Sequence, residues 1–197
     1  MRKNQLTKEA EFVKGAHLSF RNMHKINLSD DNIEFINIVS SEIFYSHFIN
    51  VSFHNASFLS SKFSEVDFNY CIITCADICS IWAKQCKFLQ CDFSNSTITD
   101  CTFINCTFDN SIFEDVTMAR CQFIECTFLK FPIGNSTFTL NEFLNCMITN
   151  TEFTPSFFFQ IFDNCKFYKV NMSPELLGYN FGFSKSTFKK LSSNINL

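Results

Sequence analysis

The residues with chemically reactive side chains are mostly cysteines. The chain of 197 residues has eleven Cys and four His, the latter at positions 17, 24, 47 and 54. Thiolates and imidazoles bind zinc when they come in paired sets with short spacings. Pairs such as Cys101 and Cys106 follow the regular repeat described below, and no HExxH occurs. The sequence also contains no GxSxG, no phosphate-binding glycine loop and no GxGxxG. We therefore expect no enzyme activity, no cofactor and no metal.

A repeat of five residues positions these side chains. In CTFINCTFDNSIF, from Cys101 to Phe113, a Phe occurs at 103, 108 and 113, and a small residue stands two positions before each. The same spacing runs from Leu18 to Phe158 and gives 29 consecutive central positions, all apolar, of which 16 are Phe. A helix repeats its apolar face about every 3.6 residues and a strand every second residue. Neither accounts for this period, whereas a short extended piece followed by a corner does.

Each unit therefore has an inward part and a corner. The central residue and the small residue two positions before it face inward, because side chains alternate along extended backbone. The next two residues form the corner, and Asn, which tolerates left-handed backbone angles, is the second of them at residues 50, 55, 95, 105, 110, 135, 145 and 150. We predict a core in which central residues stack from coil to coil, with Phe48, Phe68, Phe88, Phe103, Phe108, Phe113, Phe123 and Phe128 as members.

This pattern resembles the pentapeptide-repeat family, whose unit is a small residue, a polar residue, Leu or Phe, and two variable residues. The segments CTFIN, CTFDN, CQFIE, CTFLK and CDFSN are close matches, and the resemblance covers about residues 16 to 160. It implies an all-β fold, namely a right-handed quadrilateral β-helix with 20 residues per coil. Cys86, Cys106, Cys126 and Cys146 recur every 20 residues, which also favours four sides. The 29 units then form about seven coils.

The chain divides into three predicted segments. Residues 1–15 form an N-terminal cap, residues 16–172 the β-helix, and residues 173–197 a C-terminal segment with a short helical turn that begins at Ser173-Pro174. After Phe158 the repeat shifts by four residues and resumes at Phe162. Phe157 and Phe159 flank the centre at Phe158, so we expect both to point outward. Exposed rings near an open end indicate packing by the C-terminal segment or by a second copy of the chain. The family resemblance implies a homodimer through this end, for which these rings are the candidate contacts.

Two defects interrupt the repeat. At residues 81–83 the sizes are exchanged, because Ile81 occupies the small position and Ala83 the large one, and Trp82 should then point outward. In Phe131-Pro132-Ile133-Gly134, Phe131 is too large for the small position, and Pro132 cannot donate a hydrogen bond to a neighbouring strand. We predict a local bulge at Pro132.

Most of the cysteines occupy structural positions. Eight of them fall on the small inward position, where a thiol behaves as a small apolar side chain: Cys71, Cys86, Cys91, Cys101, Cys106, Cys121, Cys126 and Cys146. Cys75 and Cys79 fall on outward positions, where they either cross-link chains or are inert. No apolar run has the length of a signal peptide or a membrane span. We therefore expect a cytoplasmic protein with no membrane contact and with reduced thiols.

The net charge of −3 conceals an acidic body. Residues 16–160 contain 15 acidic and 7 basic residues, a net charge of −8, which argues against direct binding of nucleic acid. We number the four sides of the coil from the centres Leu18, Met23, Leu28 and Ile33. Side 4, centred on residues 33, 53, 73, 93, 113, 133 and 153, has no Lys or Arg and is the candidate acidic interaction side. Its acidic residues are Glu34, Asp92, Glu114, Asp115 and Glu152, with Asp31 in an inward position. The alternative is an ordinary solvated face.

These observations favour a non-enzymatic protein that presents a rigid, flat-sided rod to a protein partner. The alternative comes from the family resemblance, because some members resemble a DNA duplex in size and charge, bind type II topoisomerases such as gyrase, and protect them from quinolones. The charges here are sparse, and no loop interrupts the coils as in some topoisomerase-protecting members. A purely structural or secreted effector protein is a third class.

Overall fold

The computed structural model describes residues 6–7, 11–153 and 157–171. These residues form a β-solenoid of parallel strands, which confirms the predicted all-β, four-sided β-helix. From β2 to β20, paired residues are 20 positions apart, as in the series Phe68, Phe88 and Phe108. A 20-residue coil made of four five-residue units therefore returns each side chain to the position directly above its predecessor.

Strands lie mainly on three sides. On side 1 these are β2 (His17–Ser19), β5 (Asn37–Val39), β7 (Ser57–Leu59), β9 (Asp77–Cys79), β12 (Thr97–Thr99), β15 (Thr117–Ala119), β18 (Thr137–Thr139) and β21 (Phe157–Phe158). Side 2 contains β1 (Leu6–Thr7), β3 (Asn22–His24), β10 (Trp82–Lys84), β13 (Thr102–Ile104), β16 (Gln122–Ile124), β19 (Glu142–Leu144) and β22 (Ile161–Asp163). Side 3 contains β4 (Asn27–Ser29), β11 (Lys87–Leu89), β14 (Thr107–Asp109), β17 (Thr127–Leu129), β20 (Met147–Glu152) and β23 (Lys166–Asn171). The last two strands continue onto side 4, where Glu152 pairs with Asn171. The longer β6 (Glu42–Ile49) and β8 (Lys62–Asn69) pass from side 2 to side 3.

The solenoid is longer than predicted and changes register near its end. Side 1 alone has eight strands, so the chain makes about eight turns rather than seven. In the last coil the register is 19 residues, because Phe157 pairs with Phe138 and Ile161 with Glu142. The repeat therefore changes phase before Phe157, not after Phe158, and Phe157 rather than Phe158 continues the central series. The prediction that Phe157 flanks a centre was wrong, since one residue is missing from that coil.

The corners have left-handed backbone. From Phe20 to Lys130 every fifth residue has a positive φ, between 49° and 61°. Seven of the eight predicted corner Asn residues have a positive φ; at the exception, Asn135, the preceding Gly134 has a φ of 42° instead. Left-handed backbone is unfavourable for residues other than Gly, and the hydrogen bonds between coils hold it in place. The backbone N–H of the corner residue Asn55, for example, donates to Thr74 O at 2.9 Å.

Stacked phenyl rings fill the interior. All eight predicted core rings are buried. On side 3, successive ring centroids lie 5.2, 5.1, 4.9 and 5.0 Å apart from Phe48 to Phe128, with interplanar angles of 19° or less. The stacking distance matches the spacing of neighbouring strands, which is about 4.8 Å. The ring columns therefore follow directly from the coil geometry.

The small inward residue joins neighbouring coils by hydrogen bonds. Ser96 Oγ donates to Ile73 O at 2.7 Å and accepts from Ala76 N–H at 2.9 Å. Cysteines in the same position also donate to carbonyl groups, as Cys91 Sγ does to Phe68 O at 3.2 Å. A thiol here is thus a buried hydrogen-bond donor as well as the small apolar group that we predicted. Burial raises the pKa of the Cys91 thiol well above its ordinary value, so this thiol stays protonated.

The two defects of the repeat are accommodated differently. Ile81 and Ala83 are both buried, and Trp82 between them is 37% exposed and points outward as predicted. At the second defect the Phe131 ring is buried, with its centroid 4.8 Å from that of Phe113. The single-residue bridges on side 4 run from Asn32 to Ile112. At Pro132, which has no N–H, the carbonyl group still accepts from Phe113 N–H at 3.1 Å. The predicted bulge stays a prediction.

The described residues at the N-terminal end support the first coils. Strand β1 pairs in parallel with β3, so the N-terminal segment adds a strand to side 2. The Phe12 ring is buried, with its centroid 5.9 Å from that of Phe48. The predicted boundary at residue 15 stays a prediction, and the predicted C-terminal segment 173–197 lies outside the described residues. In the described part of the chain, no helix has the length and hydrophobicity that crossing a membrane requires.

Candidate interaction surface

Side 4 differs from the other three sides in its backbone pairing. Its first five coils are joined by single-residue bridges along one outward column, in the order Asn32, Ser52, Ile72, Asp92 and Ile112. Neighbouring members of such a column lie about 4.8 Å apart. The column therefore presents a straight row of side chains parallel to the solenoid axis.

The middle of this row is apolar as well as acidic. Ile72 is 45% exposed and Ile112 is 42% exposed, and Asp92 lies between them. Tyr70, which is 53% exposed, occupies the adjacent corner. Sorting the residues by charge alone missed these apolar side chains. Reading the outward positions at 20-residue intervals would have found them, because that spacing gives Ser, Ile, Asp and Ile in succession.

Local hydrogen bonds and corner geometry position the central acidic residues. Asp92 Oδ1 accepts from Ser94 N–H at 2.9 Å and from Ser94 Oγ at 2.6 Å. Glu114 and Asp115 are exposed, and Asp115 is a left-handed corner residue with a φ of 54°. The stem of Glu114 lies against the next coil, since a Cβ atom on Gly134 would come within 3.0 Å of Glu114 Cγ. These three carboxylates therefore occupy two neighbouring coils on one side.

The N-terminal part of side 4 differs from the prediction. Lys14, from the N-terminal segment, has its Nζ 2.9 Å from Glu34 Oε2, so this side is not free of basic residues. This hydrogen bond lowers the pKa of Glu34. Asp31 is exposed rather than inward, and its Oδ1 accepts from Asn32 N–H at 2.8 Å. Exposure is expected physically, because an unpaired carboxylate is costly to bury.

The C-terminal part of side 4 contains a surface groove. Its volume is about 470 Å³, and its lining includes Lys130, Pro132 and Glu152. Glu152 Oε1 accepts from Asn171 Nδ2 at 3.4 Å, so this carboxylate faces the last coil. Glu152 is therefore separate from the central acidic residues at positions 92, 114 and 115, and a basic residue lies in the same groove.

The remaining candidate residues do not join this surface. Phe159 is 47% exposed at a left-handed corner that leads to side 2, and the side chain of Phe157 lies outside the described part of the chain. Cys75 is exposed, Cys79 is partly exposed, and all eleven cysteines are free. Among the described residues no group of three or more His, Cys, Asp or Glu has the arrangement of a metal site.

Comparison with known proteins identifies the repeat. The family described as pentapeptide repeats (9 copies) matches residues 83–127. No curated protein sequence matches the chain. The sequence match thus covers the most regular part of the solenoid and leaves both ends unmatched.

Solved structures of QnrB1 share the fold. Full-length QnrB1, a plasmid-mediated fluoroquinolone resistance protein, is 10% identical with a TM-score of 0.55, and the match covers 98% of this chain and 96% of that chain. A trypsin-treated variant of QnrB1 is 13% identical with a TM-score of 0.52, over 89% of this chain and 99% of that one. HetL, a pentapeptide repeat protein involved in heterocyst differentiation regulation from the cyanobacterium Nostoc, is 5% identical with a TM-score of 0.31, over 76% and 84% of the two chains. At identities of 10% and 13%, the likeness to QnrB1 shows a shared fold and nothing more.

Proposed function

Since this chain is a pentapeptide-repeat protein, we propose that it acts without catalysis, as a rigid scaffold that binds a protein partner. The observation that carries the proposal is the outward row of side 4, where exposed Ile72 and Ile112 flank Asp92. Exposed aliphatic and aromatic side chains next to charges are typical of protein interfaces. A solenoid supports such a surface well, because every coil is fixed by its neighbours.

The filled interior supports the non-catalytic part of the proposal. The elongated void in the core has a volume of about 30 Å³ and is lined only by apolar side chains, among them Phe63, Phe103 and Met118. An enzyme site needs convergent polar groups in a cleft that admits its substrate. This void has neither the volume nor the polar groups that an enzyme site requires.

A second candidate function is mimicry of DNA toward a type II topoisomerase such as gyrase, with protection from quinolones. Two observations favour it: the fold match to QnrB1 over nearly the full length of both chains and the net charge of −8 in residues 16–160. Fold alone is weak evidence for function, so the charge pattern has to decide between the two candidates.

The charge density of side 4 favours the scaffold. Seven coils at about 4.8 Å each span roughly 34 Å, and a DNA duplex of that length carries about 20 phosphates. Side 4 has six carboxylates, at residues 31, 34, 92, 114, 115 and 152, and one of them is paired with Lys14. Exposed Ile side chains between the carboxylates have no counterpart in a phosphate backbone.

The scaffold proposal is tested by comparing two matched surface variants. Asp92→Lys changes side 4, where Asp92 is partly exposed, whereas Asp77→Lys makes the same change on side 1, where Asp77 is exposed. Tagged wild type and both variants are expressed in the native cell, cross-linked and purified, and bound proteins are quantified by mass spectrometry. We expect a partner that is retained by Asp77→Lys and depleted with Asp92→Lys. Recovery of nothing but the chain itself in all three samples would refute the scaffold.

A supercoiling assay tests the alternative. Purified protein is titrated into gyrase, with and without a quinolone, and the supercoiled product is measured. The scaffold proposal expects no change in either condition. Inhibition of supercoiling, or recovery of supercoiling in the presence of the drug, would favour DNA mimicry instead. Homodimerisation through the C-terminal end and a cytoplasmic location stay predictions.

A further inference from the structure

We propose that side 4 binds an amphipathic, basic α-helix of a partner protein, which lies parallel to the solenoid axis over Ile72, Asp92 and Ile112. This inference rests on the proposed scaffold function and specifies its surface and the chemistry of its partner. Tyr70 borders the same row at the corner between sides 3 and 4 and extends its apolar surface.

The spacing of the row fits a helix. Ile72 and Ile112 are two coils apart, which is about 9.6 Å at strand spacing. Residues seven apart on a helix are separated by about 10.5 Å, and a residue three or four positions along lies about halfway between them. A helix with apolar residues at seven-residue intervals and a basic residue between them therefore places its side chains against Ile72, Asp92 and Ile112 in turn.

The charge of the surface selects a basic partner. The residues of side 4 from Val51 to Asp115 include Asp92, Glu114 and Asp115 but no Lys or Arg. A nearby basic residue on side 3, Lys87, is already engaged, with its Nζ 3.6 Å from Asp67 Oδ1. A Lys or Arg on the bound helix thus meets carboxylates without competition from a neighbouring ammonium group on this side.

The backbone of side 4 excludes an added strand. Ile72 N–H donates to Val51 O at 3.0 Å, and Ile73 N–H donates to Asp92 O at 2.7 Å. These bonds run along the solenoid axis and occupy the groups that a peptide strand would need for β-augmentation. Recognition on this flat side therefore uses side chains, which a helix presents without backbone pairing.

The proposal is tested with two synthetic helical peptides that differ in one feature. The first has Leu at seven-residue intervals and Lys four residues after each Leu, and the second has Glu in place of each Lys. Each is labelled with a fluorophore, and binding to the full chain is measured by fluorescence anisotropy at low salt. We expect the Lys peptide to bind about tenfold more tightly than the Glu peptide. Replacing Lys by Glu removes an attraction to the carboxylates of side 4 and also introduces a repulsion.

Matched variants locate the binding surface. Asp92→Lys should abolish or reverse the preference for the Lys peptide, and Asp77→Lys on side 1 should leave it unchanged. The double variant Ile72→Ser with Ile112→Ser should weaken binding of the Lys peptide about tenfold or more. Met147→Ser, which removes a similarly exposed apolar side chain on side 3, should leave binding unchanged. Circular dichroism of every variant checks that the fold is retained.

The outcomes separate this inference from the scaffold function. If neither peptide binds, or if Asp92→Lys acts no more strongly than Asp77→Lys, the helix site is overturned. A photo-cross-linking residue at position 72 or 117 then locates the native partner. Cross-links from position 117 alone would place the partner on side 1, which keeps the scaffold and removes the helix site. Cross-links from neither position, with no partner recovered, would count against the scaffold itself.

Discussion

The hydrogen bonds of the inward serine predict a large effect of a small substitution. Ser96→Ala removes one oxygen atom, which donates to Ile73 O at 2.7 Å and accepts from Ala76 N–H at 2.9 Å. Ser96 is buried, so water cannot replace the lost partner. An unsatisfied buried donor or acceptor costs about 1–3 kcal/mol. The two groups left behind should therefore lower the free energy of unfolding by about 2–6 kcal/mol.

Equilibrium urea unfolding followed by circular dichroism measures this loss, and two variants control it. Ser96→Cys keeps a donor, as Cys101 does when its Sγ donates to Ile78 O at 3.5 Å, so it should cost less than Ser96→Ala. Ser57→Ala removes a hydroxyl from the outer face of β7 and should change the free energy by about 0.5 kcal/mol or less. Amide exchange at Ala76 should also accelerate in Ser96→Ala. If Ser96→Ala costs no more than Ser57→Ala, the inward serine does not join the coils as argued.

Three further predictions follow from the packing, the ion pairs and the thiols. Phe108 has its ring centroid 4.9 Å from that of Phe88 on one side, so Phe108→Ala should cost about 3–5 kcal/mol in urea unfolding; a cost near zero would contradict the stacked core. Arg120 donates to both carboxylate oxygens of Asp100, at 2.7 and 2.8 Å, and holds the pKa of Asp100 below its ordinary value of 3.8. The pair therefore stabilises the fold above that pH and loses its contribution as the pH falls through the lowered pKa. The Tm of Asp100→Asn should decrease less on acidification than the Tm of wild type. An equal decrease would refute the linkage. In the native protein Cys75 should react first with a thiol reagent and Cys91 only on unfolding, as peptide mapping of the label would show; early labelling of Cys91 would mean that the solenoid opens.

The sequence was sufficient to predict the architecture because the same pattern of apolar and small residues repeats along the chain. A central apolar residue every five positions, with a small residue two positions earlier, can be satisfied only by a coil whose corners have the same length. The predicted corner at Asn55 and the buried ring of Phe108 both follow from that rule. The rule failed where a single residue is missing, since the sequence allowed Phe158 as the last centre and the structure pairs Phe157 with Phe138.

The surface could not be predicted to the same depth, since outward positions are not constrained by the repeat. The charged residues of side 4 could be sorted from the sequence, but Lys14 reaches Glu34 from outside the repeat, and only the folded N-terminal segment brings the two together. Asp31 is exposed although its position in the repeat is inward. Water stabilises an isolated carboxylate better than the groups inside the first coil would.

The amino-acid sequence by itself thus determined the period, the inward and outward positions, and the ring columns, because burial of apolar side chains acts on every unit in the same way. Only the tertiary structure decided which residues 20 positions apart become neighbours on the surface. It aligned Ile72, Asp92 and Ile112 in one row, and it gave the inward Ser and Cys residues their carbonyl partners on the preceding coil. These contacts join residues that are distant in the chain, and they exist only once the coils have stacked.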